Sequence, residues 1–161
     1  GSPMISSADA REAVEWLAEE GFVRPDDCVM MVADGTGDFV GEASHRARII
    51  VFMDTDRGHL EAGREASEGG CKVELFEKEW STYVPARGRY DSCIVCPSSY
   101  SSDIDALMRV ETVSKRSCAA IFDDDSMAEE LERNLSEAWR PFISYQVGGL
   151  RIVAWELPPE E

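Results

Sequence analysis

Val29-Met30-Met31-Val32-Ala33-Asp34-Gly35-Thr36-Gly37-Asp38-Phe39-Val40 is the stretch that decides the fold. It opens on apolar residues without alternation, the pattern of a strand buried on both faces, so residues 28–33 read as an inner strand of a parallel sheet. Gly35 and Gly37 then interrupt the run, and glycine lets a backbone turn tightly and approach a ligand closely. Apolar residues resume at Phe39 and Val40, which places a helix over 38–45. Strand, glycine turn and helix in that order form the first half of a β-α-β unit.

The same alternation continues outward in both directions. Upstream, Ala10, Ala13, Val14, Leu17 and Ala18 recur at helical spacing within 8–20, with Ser6 or Ser7 as the N-cap and Gly21 as the stop. Downstream, 48–53 is a second buried strand, 57–67 a helix closed by Gly69-Gly70, and 72–76 a third strand. Residues 77–89 are irregular and contain Pro85 and Gly88. A fourth strand covers 90–96 and stops at Pro97. Ser102 caps a helix carrying Ile104, Leu107, Met108 and Val113, and 118–122 is a fifth strand. Ser126 and Glu129 form a capping-box pattern for a helix with Ala128, Leu131, Leu135 and Ala138, which Trp139 and Phe142 are expected to pack onto the sheet. The chain ends differently: 142–147 and 150–157 are β-rich runs around Gly148-Gly149, a hairpin signal. The order implies an α/β three-layer sandwich, its sheet mostly parallel with a terminal antiparallel hairpin.

Composition bounds the function. The 161 residues suit one domain, taken as 4–161 with Gly1-Ser2-Pro3 as an appended scar before Met4. A chain of this size buries roughly 70% of its unfolded surface and needs no disulfide staples. No run approaches the ~20 apolar residues of a membrane span. Against 16 Lys and Arg stand 32 Asp and Glu, a net charge of −16. Such a surface repels nucleic acid and anionic membrane, so neither is expected as a free partner. A cationic ligand or a basic partner protein fits better, and solubility alone accounts for the acidity equally well. Five cysteines, an odd number set mostly in apolar runs, point to a reducing, cytoplasmic setting.

In open α/β sheets ligands bind at the carboxyl ends of the strands. Asp34-Gly35-Thr36-Gly37-Asp38 follows the first strand. Asp54-Thr55-Asp56 follows the second, with Asp54 17 residues beyond Gly37, a spacing that suits a ribose-binding acid and equally a helix N-cap at Asp54 or Asp56. Glu77, Glu79 and Trp80 follow the third; an acid beside an aromatic suits adenine, as a solvated acid and a core-covering tryptophan also would. Cys96-Pro97-Ser98-Ser99-Tyr100 follows the fourth, and Asp123-Asp124-Asp125, read as a solvated turn and helix cap, the fifth. A pyrophosphate between Asp34 and Asp38 would meet like-charge repulsion, and the third position of a G-x-G-x-x-G pattern is Val40, which argues against a dinucleotide. An adenosine ligand with a positive sulfonium meets no such objection.

At these residues the chain resembles the class I S-adenosylmethionine-dependent methyltransferases. The stretch 29–40 looks like their glycine-rich first motif, Asp54 falls at the ribose-binding acid, Glu79-Trp80 near the adenine-contacting acid, and 90–96 at the fourth-strand motif. The resemblance implies a Rossmann-like, seven-stranded sheet in the order 3-2-1-4-5-7-6. It also implies S-adenosylmethionine as cofactor, held by Ala33, Asp34, Gly35, Gly37, Asp54, Thr55, Glu79, Trp80 and Cys96. Three departures accompany it. The acid usual inside the first strand is Met31 and the first motif glycine is Ala33, with Asp34 a substitute acid for the ligand's ammonium group. The Asn/Asp-Pro-Pro-aromatic motif of amino-methylating members is missing from 96–100, and there is no substrate-domain insertion.

Other constellations carry less. Cys93 and Cys96 sit three apart in a strand and so face opposite sides, which suits core thiols rather than a metal or redox pair. His45 and His59 read as surface residues of helices. Tyr83 and Tyr100 fall in loops on the ligand edge, where either would cover adenine or a substrate, or contact a partner. No nucleophile elbow or P-loop occurs, no metal site is expected, and no residue is assigned as catalytic base. Two functions follow from the resemblance. One is a methyltransferase acting on a small molecule or a protein. The other is a non-catalytic, methyltransferase-like subunit that completes its role with a partner.

Overall fold

The computed structural model describes residues 5–96 and 103–159. A seven-stranded sheet in the order β3-β2-β1-β4-β5-β7-β6 runs through the molecule. Its strands are β1 (Cys28–Val32), β2 (Ile49–Asp54), β3 (Lys72–Glu77), β4 (Tyr90–Val95), β5 (Ser114–Phe122), β6 (Ile143–Val147) and β7 (Leu150–Glu156). The first five are parallel, and β7 lies antiparallel between β5 and β6. The expected strand order and terminal hairpin are both present.

The two faces of the sheet are separate cores, as the two-residue period of a strand requires. Val29, Met31, Ile50, Phe52, Ile94 and Ile121 face α1 (Ser7–Glu19), α2 (Asp38–Ala43) and α3 (Arg57–Ala66). Met30, Val32, Met53, Cys93, Val95 and Cys118 face α4 (Ile104–Met108), α5 (Val110–Val113) and α6 (Asp125–Glu137). Cys93 and Cys96 fall on opposite sides, both fully buried. Between β3 and β4, where the alternation would place another helix, there is only a 3₁₀ turn, Trp80–Thr82. Trp80 fills the gap: its ring is buried and its indole N–H donates to the carbonyl of Ala106 at 2.8 Å. The Arg109 guanidinium lies 5.2 Å over the ring. Among the described residues no helix is long and apolar enough to cross a membrane.

Several local expectations are corrected. β5 begins at Ser114, four residues before the expected start at Cys118. Its first residues, Ser-Lys-Arg-Ser, are polar yet partly buried, and Arg116 and Ser117 find partners in the segments packed against them, while Ser114 Oγ is buried without one among the described residues. Ser117 Oγ donates to the carbonyl of Phe22 at 2.7 Å and lies 3.0 Å from Ser92 Oγ. Arg116 makes a two-pronged pair with Asp27, 2.6 Å on each side, and reaches the Phe22 carbonyl. The cap of α6 is Asp124, whose carboxylate accepts from Ser126 N, as the reading of Asp123–Asp125 as a helix cap expected and in place of the capping box at Ser126. The cap of α4 is Asp103, which accepts from Asp105 N; Ser102 lies outside the described residues. The single helix expected over 104–113 is broken at Arg109. Trp139 does not pack onto the sheet: its φ is +56° where α6 ends, and its side chain is 91% exposed.

The Asp27–Arg116 pair joins the segment entering β1 to the start of β5. Removing the cation leaves a buried carboxylate with only the Arg24 backbone N–H as donor. Arg116→Ala is expected to lower unfolding free energy by about 3 kcal/mol, measured by urea denaturation; a loss below about 0.5 kcal/mol would contradict this account of the pair.

Candidate functional site

β1 is the pivot of the site. Its neighbours are β2 on one side and β4 on the other, so chain connections diverge from it in opposite directions and leave a crevice beyond its carboxyl end. Val32 is level with Met53 and Val95. Beyond Val32 the pairing ends with Ala33 N donating to the Met53 carbonyl and Cys96 N to the Val32 carbonyl, both at 2.9 Å.

The loop that follows is shaped by one carboxylate. Asp34 is fully buried. Its Oδ1 accepts from Thr36 N (2.9 Å), Thr36 Oγ1 (3.0 Å) and Gly37 N (3.0 Å), and its Oδ2 from Val40 N (3.0 Å). Thr36 Oγ1 in turn accepts from Asp38 N at 3.1 Å, at the start of α2. Burial raises the Asp34 carboxyl above its ordinary pKa, and the four donors oppose that shift. The side chain is therefore turned into the loop, not toward a ligand's ammonium group, which corrects the substitute-acid expectation. Met31, at the position of the missing acid, is fully buried in the core. The amides that would cradle a phosphate are already spent on the chain's own anion, a second argument against a dinucleotide.

Two backbone positions keep the loop's path. Ala33 has φ +65° and Gly37 φ +82°. The first is the place of the missing motif glycine, so the glycine conformation persists with a Cβ attached and carries strain. Gly37 has a further role: a Cβ there would meet the carbonyl oxygen of Ala62 at 2.7 Å, so the glycine lets α3 seat against the loop. A bulky substitution at 37 would act on that packing, not by filling a ligand site.

The second strand ends on Asp54, a buried carboxylate at the same edge. Its Oδ1 accepts from Asp56 N at 2.9 Å, and its Oδ2 lies 3.1 Å from His59 Nδ1. The N-cap of α3 is Asp56, which accepts from His59 N, so Asp54 is not the cap. His59 is half-buried rather than a free surface residue, a contact missed in the sequence because the two residues lie on opposite sides of the cap. Thr55, Gly35 and Glu79 are exposed along this edge. Arg57 pairs with Glu77 at 2.9 Å beside them.

The other expected site residues lie deeper. Cys96 is buried beneath the crevice, where burial first and then Asp34 push its thiol pKa well up. Trp80 is enclosed, with its N–H spent on Ala106. Tyr83 stacks edge-on against Phe76 and its hydroxyl lies 2.7 Å from that of Tyr90, the first residue of β4. Tyr100 and the rest of 97–102 lie outside the described residues. Asp124 and Asp125 are engaged at the start of α6, the latter 3.6 Å from Arg151. Among the described residues no group of three or more His, Cys, Asp and Glu is placed to hold a metal ion.

Two stability measurements check the loop. Ala33→Gly relieves the left-handed strain and is expected to raise unfolding free energy by about 0.5–1 kcal/mol, where a glycine in relaxed backbone would lower it. Asp34→Ala orphans three loop amides and is expected to cost about 2–4 kcal/mol; an unchanged melting curve would show that the carboxylate does not hold the loop.

No family model matches the sequence, and no curated protein matches it. Solved structures do resemble the fold. A S-adenosylmethionine-dependent methyltransferase from Aquifex aeolicus superposes with a TM-score of 0.68 at 14% identity, over 96% of this chain and 100% of that one. Magnesium protoporphyrin IX methyltransferase from Synechocystis PCC 6803, with bound S-adenosylmethionine, gives 0.71 at 12% identity, over 98% and 87%. Precorrin 8W decarboxylase from Methanobacterium thermoautotrophicum gives 0.68 at 14% identity, over 96% and 93%. Strand order, glycine loop and full-length superposition agree: the chain has the Rossmann-like fold of the class I S-adenosylmethionine-dependent methyltransferases.

Proposed function

We propose that this protein binds S-adenosylmethionine at the carboxyl end of β1 and β2 and acts as a methyltransferase on a small molecule or a protein. The observation that carries the reading is the preserved loop path. Ala33 holds φ +65° where glycine would be relaxed, so the turn is kept at a cost in strain, beside an acid at the end of β2. Strain retained at a strand end is what a binding loop shows and what a merely structural turn would shed.

In this reading Asp54 accepts hydrogen bonds from the ribose hydroxyls. A carboxylate has about four acceptor positions, and Asp54 uses one on each oxygen within the protein. Its link to His59 fixes the carboxylate's direction. Gly35 and Thr55 let the ligand lie close to backbone, and Glu79 meets the adenine amino group. Trp80 and Cys96 support the pocket from below. The exposed carboxylates along this edge favour a ligand of net positive charge. When bound, S-adenosylmethionine supplies a methyl group already activated by its sulfonium. The chain's contribution is to position it and to exclude water.

A second reading, a non-catalytic subunit with this fold, draws on two observations. Met31 is buried in the core, and the Asp34 carboxylate is committed to its own loop, which leaves neither for the ligand's ammonium group. Calorimetry separates the two. The first reading expects micromolar binding of S-adenosylhomocysteine by the wild-type protein. Asp54→Asn keeps an acceptor for Asp56 N but loses the charge, and should weaken binding about 10- to 100-fold with the melting temperature little changed. No heat at millimolar ligand would support the second, and equal affinity in the variant would remove Asp54 from the site.

A further inference from the structure

We infer that a hollow at the amino ends of the parallel strands is a second binding site, which takes a small organic cation: an ammonium group carried on an apolar or aromatic body. The hollow has a volume of about 410 Å³, and its lining includes Glu20, Phe22, Phe142, Ile143, Trp155 and Glu156. That volume falls within the range of small-molecule pockets, about 300–1,000 Å³. The hollow is distinct from the crevice beyond β1. Glu156 stands level with Ser117 near the start of β5, and Phe22 lies in the segment that leads into β1. The two sites therefore open at opposite ends of the sheet, and this inference does not rest on the methyltransferase reading.

The walls are fixed without a ligand. The Phe22 carbonyl accepts from Ser117 Oγ at 2.7 Å and from Arg116 at 3.2 Å, and the Phe22 ring lies 6.0 Å from that of Trp16. The Trp155 indole N–H donates to Glu111 Oε2 at 2.8 Å. The same oxygen accepts from Arg140 Nε at 3.0 Å, which ties the approach to Phe142 and Ile143 onto β7. Preformed walls spare a ligand the entropy of ordering them. Aromatic rings also attract a cation that lies over their faces.

The charge of the hollow has one sign. Glu20 and Glu156 are exposed, and among the described residues neither carboxylate has a hydrogen bond or an ion pair. The cations nearby are committed elsewhere. Arg116 feels the charge of Glu156, yet its guanidinium is bonded to Asp27 and to Phe22. Arg140 is bonded to Glu111.

Glu20 carries a further anomaly. It follows Glu19 at the carboxyl end of α1, whose last turn has no basic residue. A helix carboxyl end is itself partially negative and favours Lys or Arg. Acids placed there are repelled by the helix, and a cation in the hollow relieves that repulsion. A metal ion suits the lining less well, since hard cations take about six to eight oxygen ligands and gain nothing from apolar walls. An anion is rejected by the same carboxylates. An ammonium ion with an apolar body matches both the charge and the walls.

A ¹⁵N nuclear magnetic resonance titration of the full chain tests the inference with probes of one shape and different charge. They are 2-phenylethylammonium, neutral 2-phenylethanol and anionic 3-phenylpropanoate. The cation is expected to shift the amides of Phe22, Ile143 and Glu156 and the Trp155 indole saturably, with a dissociation constant of about 1 mM or tighter. The alcohol should bind about 3- to 20-fold more weakly, and the anion should not bind. Glu20→Gln combined with Glu156→Gln should bring the cation down to the affinity of the alcohol. Glu68→Gln, an exposed acid that precedes β3 at the far edge of the sheet, should leave it unchanged. The inference fails if the cation shifts none of these resonances at about 10 mM, or if the alcohol binds as well. It also fails if Glu68→Gln weakens binding as much as the paired change, which would mark diffuse attraction to an acidic surface. Shifts at Gly35, Thr36 and Thr55 instead would place the cation in the crevice and overturn the inference. If the paired variant does not fold, the comparison of cation with alcohol on the unaltered chain decides.

Discussion

The buried carboxylate of Asp34 is the constraint on which the site depends. It gathers Thr36 N, Thr36 Oγ1, Gly37 N and Val40 N onto two oxygens, and so converts the end of β1 into the start of α2 within a few residues. The cost is a desolvated anion, visible in its raised pKa. The return is a loop whose shape needs no ligand to hold it. The loop then positions what surrounds it: Gly37 lies against the backbone of α3, α3 is capped by Asp56, and the cap places His59 beside Asp54. The crevice is the product of one internal anion and the helix it seats.

The same device narrows the range of ligands. A loop whose amides face outward at a helix start invites phosphate. Here an internal carboxylate takes those amides, and Asp54 and its neighbours add negative charge along the edge. What remains suits an uncharged sugar and a cationic centre. Under the methyltransferase reading this is an adenosine held at its ribose, with little built by the described residues for the far end of the cofactor. The two functional readings part at that end, not at the fold.

Much of the architecture was legible because it is written in hydrophobic period. Runs buried on both faces, such as 28–33 and 48–53, stand out without alternation, and Gly148-Gly149 between two β-rich runs marked the hairpin. The errors have different causes, and one is a polar residue whose partner is distant in sequence. The start of β5 was hidden because Arg116 and Ser117 are paired with Asp27, Phe22 and Ser92, contacts spanning up to 95 positions. Asp103 took the cap assigned to Ser102, and of the two caps offered for α6, the Asp123–Asp125 run and Ser126, the first is used through Asp124; either oxygen can serve and only backbone direction decides. In the site, Asp54, Gly35 and Glu79 were found at the expected edge. The inward turn of Asp34 was invisible, because a side chain's direction within a loop is set by donors that spacing does not reveal. Trp139 mimicked a core residue by type alone.

Amide chemical-shift mapping by ¹⁵N nuclear magnetic resonance with S-adenosylhomocysteine tests the central claim most directly. If the ligand sits over the carboxyl ends of β1 and β2, the amides of Gly35, Thr36, Thr55 and Glu79 should move in a saturable titration, while those of β6 stay still. A titration that shifts none of these amides, or moves a different surface instead, would contradict the proposed site.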